Sequence, residues 1–320
     1  MPYAANMWPE DYPRAVVWTR GAGCGELADL LATGKAVRCE GDLARACLEQ
    51  RADLAVMAGT GSFDVVPVAS PHDFESERVK AVVAAVAGGP HSRLAAVLAA
   101  RLSEKLGVPG SVMSGYRTER GLPTAAAAVA EARAASGLPG DALAVSSAAA
   151  LVVEMPEDAL LILGAPGGGW LHRQFLGQGT RLSAAAPSGV VVVRSAPLRA
   201  FHRMSQLDGF SLRMRVADAR VVAHGHVLPI VDEGTLVGVV RESVLADADP
   251  DGELADVMEQ APFASAFDAL AELQGFEEFY EGAPVPVVDR RGLLVGGVAS
   301  DEVAWPNRPG TRGADLPDVE

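Results

Sequence analysis

Two stretches in the last third of the chain repeat one pattern of apolar residues, glycine and aspartate. The first is LPIVDEGTLVGVV at residues 228–240, and the second is VPVVDRRGLLVGGV at residues 285–298. In each, a proline-containing apolar run ends in aspartate, and a Leu-Val-Gly run follows a short turn. An internal repeat of this kind indicates two copies of one supersecondary unit, neither of which can bury its apolar face alone. The chain after about residue 200 is therefore predicted to fold as a pair of similar units.

The preceding part of the chain alternates between predicted strands and helices. Apolar runs predict strands at 15–19, 35–39, 52–59, 79–87, 111–116, 141–147, 158–166 and 188–194. Helices are predicted between them at 25–34, 43–50 with Asp42 as N-cap, 92–107, 124–137 and 171–186. Strands that alternate with helices form parallel sheets, and an almost unbroken apolar run such as 79–87 is typical of a strand covered on both faces. The predicted fold class is α/β, a doubly wound parallel sheet of Rossmann type, followed by a smaller α+β pair.

The charge of the chain limits its partners. It has 320 residues, of which 41 are acidic and 27 basic, for a formal net charge of −14. A field of this sign repels nucleic-acid phosphates and anionic lipid surfaces, and no run of Lys or Arg offsets it. Neither nucleic acid nor a membrane is expected as a partner. Small anions remain possible ligands, because backbone N–H groups at a helix start can bind them locally.

The composition predicts a cytoplasmic location. No uncharged apolar stretch reaches the roughly 18 residues that a membrane-spanning helix needs, and the first residues lack the basic and apolar regions of a secretory signal. Cys24, Cys39 and Cys47 are odd in number and match no zinc-binding spacing, which indicates reduced thiols.

A glycine-rich stretch follows the predicted strand 158–166. Gly164, Gly167 and Gly177 lie where that strand gives way to a helix. Glycine lets a backbone approach an anion closely, and a helix start offers free N–H groups, so the stretch suits a triphosphate or pyrophosphate. No Gly-Lys-Ser/Thr follows, so it is not a Walker A loop. The alternative is a glycine-rich turn that holds no ligand.

The same stretch resembles the universal stress protein family. The pattern is Gly-x2-Gly-x9-Gly, then Gln178 and Thr180, then a valine-rich strand at 190–193, and the resemblance covers about residues 78–194. It implies ATP binding, with the three glycines around the phosphates and Gln178 and Thr180 beside them. Two positions depart from the family pattern: Ala87 replaces an acidic residue that meets the adenine or ribose, and Gln178 replaces Ser or Thr.

The repeat resembles a tandem pair of cystathionine-beta-synthase (CBS) domains. ADVME at 255–259 is similar to the element that opens a CBS repeat, and the first copy is predicted to begin only around Ser211 or Val216. The resemblance implies a cleft for AMP, ADP, ATP or S-adenosylmethionine. The family's Thr/Ser-x-x-Asp ligand signature is replaced in both copies. The substituted positions are Arg241 and Val244 in the first copy, and Ala299 and Glu302 in the second. Glu302 keeps a carboxylate that could hold a ribose. Arg241 could pair with a phosphate, although a solvated surface arginine is the favoured interpretation.

These patterns together predict four segments and a regulatory function. The segments are an α/β extension at 1–74, a stress-protein-like nucleotide-binding domain at 75–197, tandem CBS domains at 198–305 and a flexible tail at 306–320. The extension either adds strands to the same sheet or is a decayed first copy of the stress fold. The expected function is non-enzymatic sensing of an adenine nucleotide by a homodimer that also has a protein partner. The only metal expected is magnesium carried by the nucleotide.

Two alternatives stand beside this prediction. One is a scaffold whose nucleotide sites have decayed, and the other is a slow ATPase. No Gly-x-Ser-x-Gly elbow supports a hydrolytic nucleophile.

Overall fold

The structure is a computed structural model that describes residues 11–59, 63–165, 186, 188–223, 227–280 and 282–301. The chain divides into two compact units, residues 1–197 and 198–320.

The first unit contains nine strands and five helices among its described residues. In chain order they are β1 (Ala15–Trp18), α1 (Cys24–Leu31), β2 (Lys35–Arg38), α2 (Leu43–Gln50), β3 (Leu54–Val56), β4 (Val68–His72), β5 (Ala81–Ala85), α3 (Pro90–Leu106), β6 (Gly110–Tyr116), α4 (Leu122–Ser136), β7 (Gly140–Ala144), α5 (Ala148–Val153), β8 (Ala159–Gly164) and β9 (Val190–Arg194). Eight of these strands coincide with predicted ones, apart from shifts of a few residues at their ends. The predicted helix 171–186 lies almost wholly outside the described residues.

All nine strands belong to one sheet, in the order β2-β1-β3-β4-β9-β8-β5-β6-β7. Every neighbouring pair is parallel except β4 and β9, which run antiparallel from Val68 opposite Arg194 to His72 opposite Val190. The sheet is thus mixed, which corrects the prediction of a purely parallel one. Strand β4 was not predicted, because its sequence VASPH contains Pro71 and lacks a long apolar run.

The antiparallel pair joins two half-sheets with the same internal order. The front half has the order β2-β1-β3-β4, and β6-β5-β8-β9 repeats that order in the other half, with β7 as an additional edge strand. The front segment therefore adds strands to the same sheet. The equal strand order is also what an incomplete copy of the second half would have.

Apolar side chains cover both faces of the sheet. On one face, residues of α1, α3 and α4 such as Leu27, Leu94 and Ala128 pack against the strands. On the other face, Leu151 and Val152 of α5 pack against neighbouring strand residues. In β9, Val191 and Val193 belong to the first cluster, whereas Val190 and Val192 belong to the second. Coverage of both faces explains the almost unbroken apolar strand sequences.

Local hydrogen bonds determine where α2 begins and where α1 ends. The Asp42 side chain accepts hydrogen bonds from the Ala44 and Arg45 N–H groups, which confirms the predicted N-cap of α2. Helix α1 ends at Leu31 rather than at the predicted Gly34. The N–H groups of Gly34 and Lys35 donate to the Arg14 carbonyl, which draws the chain into β2 before another helical turn can form.

The second unit contains two copies of one motif. The first copy comprises α6 (Ala200–Arg203), β10 (Phe210–Ser211), α7 (Val216–Val222), β11 (Val227–Asp232), β12 (Thr235–Arg241) and α8 (Glu242–Asp247). The second comprises α9 (Leu254–Val257), β13 (Ala264–Ser265), a 3-10 turn (Leu270–Leu273), α10 (Phe276–Tyr280), β14 (Val285–Val288) and β15 (Leu294–Val298). Each copy forms a three-stranded sheet whose first two strands are parallel and whose last two are antiparallel. The first copy begins at Ala200, so the prediction that it begins near Ser211 or Val216 was wrong.

The two copies exchange equivalent contacts. One set of reciprocal bridges joins Arg199 to Ala269 and Arg215 to Glu253. A second set joins Ser205 to Gly297 and Val239 to Glu259. In the second set, the segment that opens one copy pairs with the last strand of the other. The hairpin turns also meet, where Thr235 pairs with Leu293. The copies are therefore related by an internal pseudo-twofold axis.

Candidate functional site

A cavity of about 440 Å³ lies beside the carboxyl end of β5. It is lined by Ala87, Gly88, Pro123, Thr124, Ala127, Ala128 and Glu131. Strand β5 lies between β8 and β6. The lining residues follow β5 or belong to α4, so the cavity lies between the end of β5 and α4. Open α/β sheets place ligands outside the carboxyl ends of their strands.

Glu131 gives this cavity a carboxylate. Its Oε2 atom accepts a hydrogen bond from the Gly89 N–H at 3.3 Å, and its Oε1 atom lies 3.3 Å from an Arg93 nitrogen. Ala87, where the stress-protein pattern has an acidic residue, lines the same cavity without a charge. The Glu131 carboxylate of α4 thus lies in the same cavity as Ala87, where the chain lacks the acidic residue of the stress-protein pattern. It can accept hydrogen bonds from hydroxyl or amino groups of a ligand.

Gly164 ends β8 next to the first turn of α3. An added Cβ atom would lie 2.9 Å from the His91 carbonyl carbon and 3.0 Å from the Ser92 nitrogen. These are backbone atoms and cannot move aside as a side chain can. Close packing of strand and helix is therefore one reason for glycine here. Its predicted contact with phosphate stays a prediction.

We expect Gly164→Ala to lower the unfolding free energy of the first unit by about 2 kcal/mol, because the methyl group overpacks the helix start. Urea denaturation followed by circular dichroism measures the loss. Gly41→Ala is the matched control, since a Cβ there would meet nothing within 4 Å. Equal stability of the two variants would contradict the packing role.

His91 and Ser195 link the start of α3 to the end of β9. His91 Nδ1 accepts the Ser195 N–H at 3.0 Å and lies 2.8 Å from the Ser195 hydroxyl oxygen. Because the backbone N–H can only donate, Nδ1 is unprotonated and accepts it. Burial, and the nearby charge of Arg194, lower the pKa of His91 and favour this neutral form.

The remaining predicted nucleotide contacts lie outside the described residues. They are Gly167, Gly177, Gln178, Thr180 and Glu302. Their roles stay predictions.

The two repeats meet at two equivalent places, each formed by the end of one copy's last strand and by the other copy's opening segment and helix. The first junction is formed by Arg241, Glu259 and Phe279. An Arg241 nitrogen lies 2.6 Å from a Glu259 carboxylate oxygen, and the guanidinium carbon lies 4.4 Å from the centre of the Phe279 ring. The Arg241 side chain is only 30% exposed. Arg241 is therefore a partly exposed arginine that is held by an ion pair and a ring contact, rather than a freely solvated one.

Tyr280 anchors the helix behind this junction. It is almost fully buried, contacts the Phe279 ring edge-to-face, and donates a hydrogen bond to the Pro262 carbonyl. Burial raises the pKa of Tyr280, so it stays protonated as that bond requires. The Phe279 ring is thus held in place beneath Arg241.

The second junction has small residues at the equivalent positions. The strand registers pair Pro229 with Val239 and Pro286 with Gly297, which makes Ala299 the counterpart of Arg241. The reciprocal bridges make Ser205 the counterpart of Glu259. By the same alignment, Val222 replaces Phe279, and its side chain is 41% exposed. At these described positions the second junction therefore has neither the ion pair nor the aromatic ring of the first.

Sequence reasoning missed Glu131, Glu259 and Phe279 as residues of these places. Glu131 reads as an ordinary charged residue of an alanine-rich helix. Glu259 lies in the element predicted to open the second repeat. Phe279 belongs to an aromatic group with Phe276 and Tyr280, which by sequence alone favours core or dimer packing. The one available signal was the repeat itself, because aligning its copies pairs Arg241 with Ala299.

Within the described ranges, no group of three or more His, Cys, Asp or Glu residues could hold a metal ion. No helix among those residues is long and apolar enough to cross a membrane.

No protein-family profile matches the chain, and a search of curated proteins found no match. Solved structures, several of them CBS-domain pairs, are similar to about a third of it. The cytosolic domain of the Mg2+ channel MgtE, solved with ATP, is 25% identical over 33% of this chain, with a TM-score of 0.31. A CBS domain pair/ACT domain protein from Thermotoga maritima is 19% identical over 34%, with a TM-score of 0.31. CBSX2, a CBS-pair protein from Arabidopsis thaliana solved with AMP, is 22% identical over 34%, with a TM-score of 0.29.

The matched region covers 95% of the Thermotoga protein and 94% of CBSX2. It spans about half, 47%, of the MgtE domain. The neighbours thus include a CBS domain pair, and none of those named here is a universal stress protein.

Proposed function

We propose that this chain is a non-enzymatic regulatory protein of the cytoplasm that binds an adenine nucleotide and changes an interface or assembly state in response. The proposal includes a homodimer and a protein partner as the assemblies concerned. It also includes the stress-response role that the universal stress protein resemblance implies.

The observation that carries the proposal is the pair of unequal junctions in the second unit. At the second junction, Ser205 is exposed and Val222 is 41% exposed. Together with Ala299 they leave small side chains where the first junction has a guanidinium, a carboxylate and a ring. A ligand that binds in an open position between two repeats can change the contacts that join them.

The cavity beside β5 is a second candidate position. Its alanine and proline side chains suit an apolar ring face, and Glu131 and Thr124 supply polar atoms at its edge. The Glu131 carboxylate, which pairs with Arg93 at 3.3 Å, can accept hydrogen bonds from ribose hydroxyl groups or an adenine amino group.

A ligand regulates only if it binds one conformation or assembly more tightly than another. The reciprocal bridges give the second unit a means for this, because each repeat supplies an edge to the sheet of the other. A ligand held between the repeats therefore acts on the contacts that join them.

The scaffold alternative has support of its own. The Arg241–Glu259 pair occupies the first junction, and Ala87 lacks the charge of the family pattern. If the second junction and the cavity beside β5 also bind no nucleotide, the protein would keep its fold and bind only proteins.

Thermal unfolding with and without ligand tests the proposed function. ATP, ADP, AMP and S-adenosylmethionine are each added at about 1 mM, and a ligand present at ~100 times its Kd is expected to add about 2.7 kcal/mol of stability. Sedimentation velocity under the same conditions measures the change of assembly. No shift with any ligand would favour the scaffold, and steady ATP turnover that survives repurification would favour the ATPase.

A further inference from the structure

We infer that the Arg241–Glu259 pair fills the first junction as an internal substitute for a ligand, so that the repeat pair offers one open ligand position rather than two. This inference rests on the proposed function for the identity of the ligand. The inference itself is that the chain closes the first of its two equivalent junctions with its own side chains.

The first step of the argument is the geometry of the ring. The Arg241 guanidinium is a planar group that lies over the face of Phe279, with its central carbon 4.4 Å from the ring centre. A planar base stacks on an aromatic ring through the same face. While Arg241 lies there, the face of Phe279 is taken.

The second step concerns charge. Glu259 binds the Arg241 guanidinium at 2.6 Å, so the cation already has an anion as its partner. A phosphate would have to displace this carboxylate, and the carboxylate would then repel it. The pair therefore disfavours both parts of a nucleotide, the base at Phe279 and the phosphate at Arg241.

The third step is that this arrangement is held from both repeats. Arg241 ends β12 of the first copy, whereas Phe279 lies on α10 of the second. Glu259 is fixed by two backbone hydrogen bonds with Val239, at 3.0 and 2.9 Å. The burial of Tyr280 and its bond to Pro262 fix the helix that carries Phe279. The residues that fill the junction are thus fixed by the fold of both repeats.

The fourth step is the comparison within the chain. The same backbone bridge recurs at the second junction, where Ser205 and Gly297 exchange hydrogen bonds of 2.9 and 3.0 Å. The backbone is equivalent, and the side chains differ. Ala299 and Ser205 can form neither an ion pair nor a stack. Among the residues that the structure describes, only those of the first junction close it from within.

Isothermal titration with AMP and with ATP tests the inference on three full-length proteins. The opened variant, Arg241→Ala with Glu259→Ser, gives the first junction the small residues of the second. The sealed variant, Ala299→Arg with Ser205→Glu, gives the second junction the charged pair of the first. We expect the opened variant to bind one nucleotide more per chain than the wild type, and the sealed variant to bind at least tenfold more weakly at the repeat pair.

The outcomes separate the inference from the proposed function. An opened variant with unchanged stoichiometry overturns the inference and leaves the proposed function standing, as does a sealed variant with unchanged affinity. Binding by the opened variant alone supports the inference and refutes nucleotide sensing by the natural chain. Absence of binding to all three proteins refutes both. If the opened variant does not fold, Arg241→Ala with Glu259→Gln replaces it, because this change frees the face of Phe279 and leaves no carboxylate to repel phosphate.

Discussion

Replacing Gly296 with alanine is expected to destabilise the second unit by about 3 kcal/mol. An added Cβ would lie 2.5 Å from the Ser205 carbonyl oxygen, where the opening segment of the first repeat crosses β15. Overpacking against backbone of this kind costs roughly 1–3 kcal/mol and sometimes more. For a domain of about 100 residues, 3 kcal/mol corresponds to a fall in Tm on the order of 12 °C or more.

Gly238 is the equivalent glycine of the first repeat, and the same argument applies with less force. Its Cβ would lie 2.8 Å from the Glu259 carbonyl oxygen. Gly238→Ala is therefore expected to cost about 2 kcal/mol. Hydrogen exchange of the segments 227–241 and 285–298 locates each loss in the repeat pair. Val237→Ala is the matched control, because this neighbouring side chain is 37% exposed. Equal stability of Gly296→Ala and the control would contradict the crossing of the two repeats.

Replacing Val191 with aspartate is expected to unfold the first unit or to destabilise it by on the order of 5 kcal/mol. Val191 has no exposed surface, and it pairs with Pro71 in the antiparallel seam between the two half-sheets. An aspartate there either buries an unpaired charge or takes up a proton in an apolar site, and both are costly. Thermal unfolding followed by circular dichroism measures the effect.

Two further variants make this prediction decisive. Val153→Asp is the control, since that valine of the same unit is 81% exposed and should tolerate the charge within about 0.5 kcal/mol. Val191→Ala is expected to cost about 2 kcal/mol through lost burial, and it should still fold. A Val191→Asp protein as stable as Val153→Asp would show that the two half-sheets are not joined at β9.

The strand and helix content of the first unit was predictable because its signals are local. An apolar run such as 79–87 and the Asp42 cap act within a few residues along the chain. Strand β4 was not predictable in this way, since VASPH gains its place only by pairing with β3 on one side and with β9 on the other. Its partner β9 lies more than a hundred residues away along the chain, and the sequence of β9 does not indicate this pairing.

The repeat could also be predicted from the sequence, but the residue at which its first copy begins could not. The motif residues around Asp232 and Asp289 turn each hairpin locally, so both copies carry them. The opening segment of the first copy has a different requirement, because Ser205 bonds to Gly297 of the other copy. Its sequence is therefore free to differ from ADVME, and comparison of the copies placed its start too late.

The sequence by itself determined the alternating α/β pattern and the presence of two repeats. Tertiary structure alone decided the antiparallel seam, the cavity beside Glu131 and the closure of the first junction. The physical reason is the range of the interactions: periodicity, capping and turns act between near neighbours, whereas Arg241, Glu259 and Phe279 meet only after both repeats have folded. Ala299 shows the same limit, because its small side chain matters only through what the fold places opposite it.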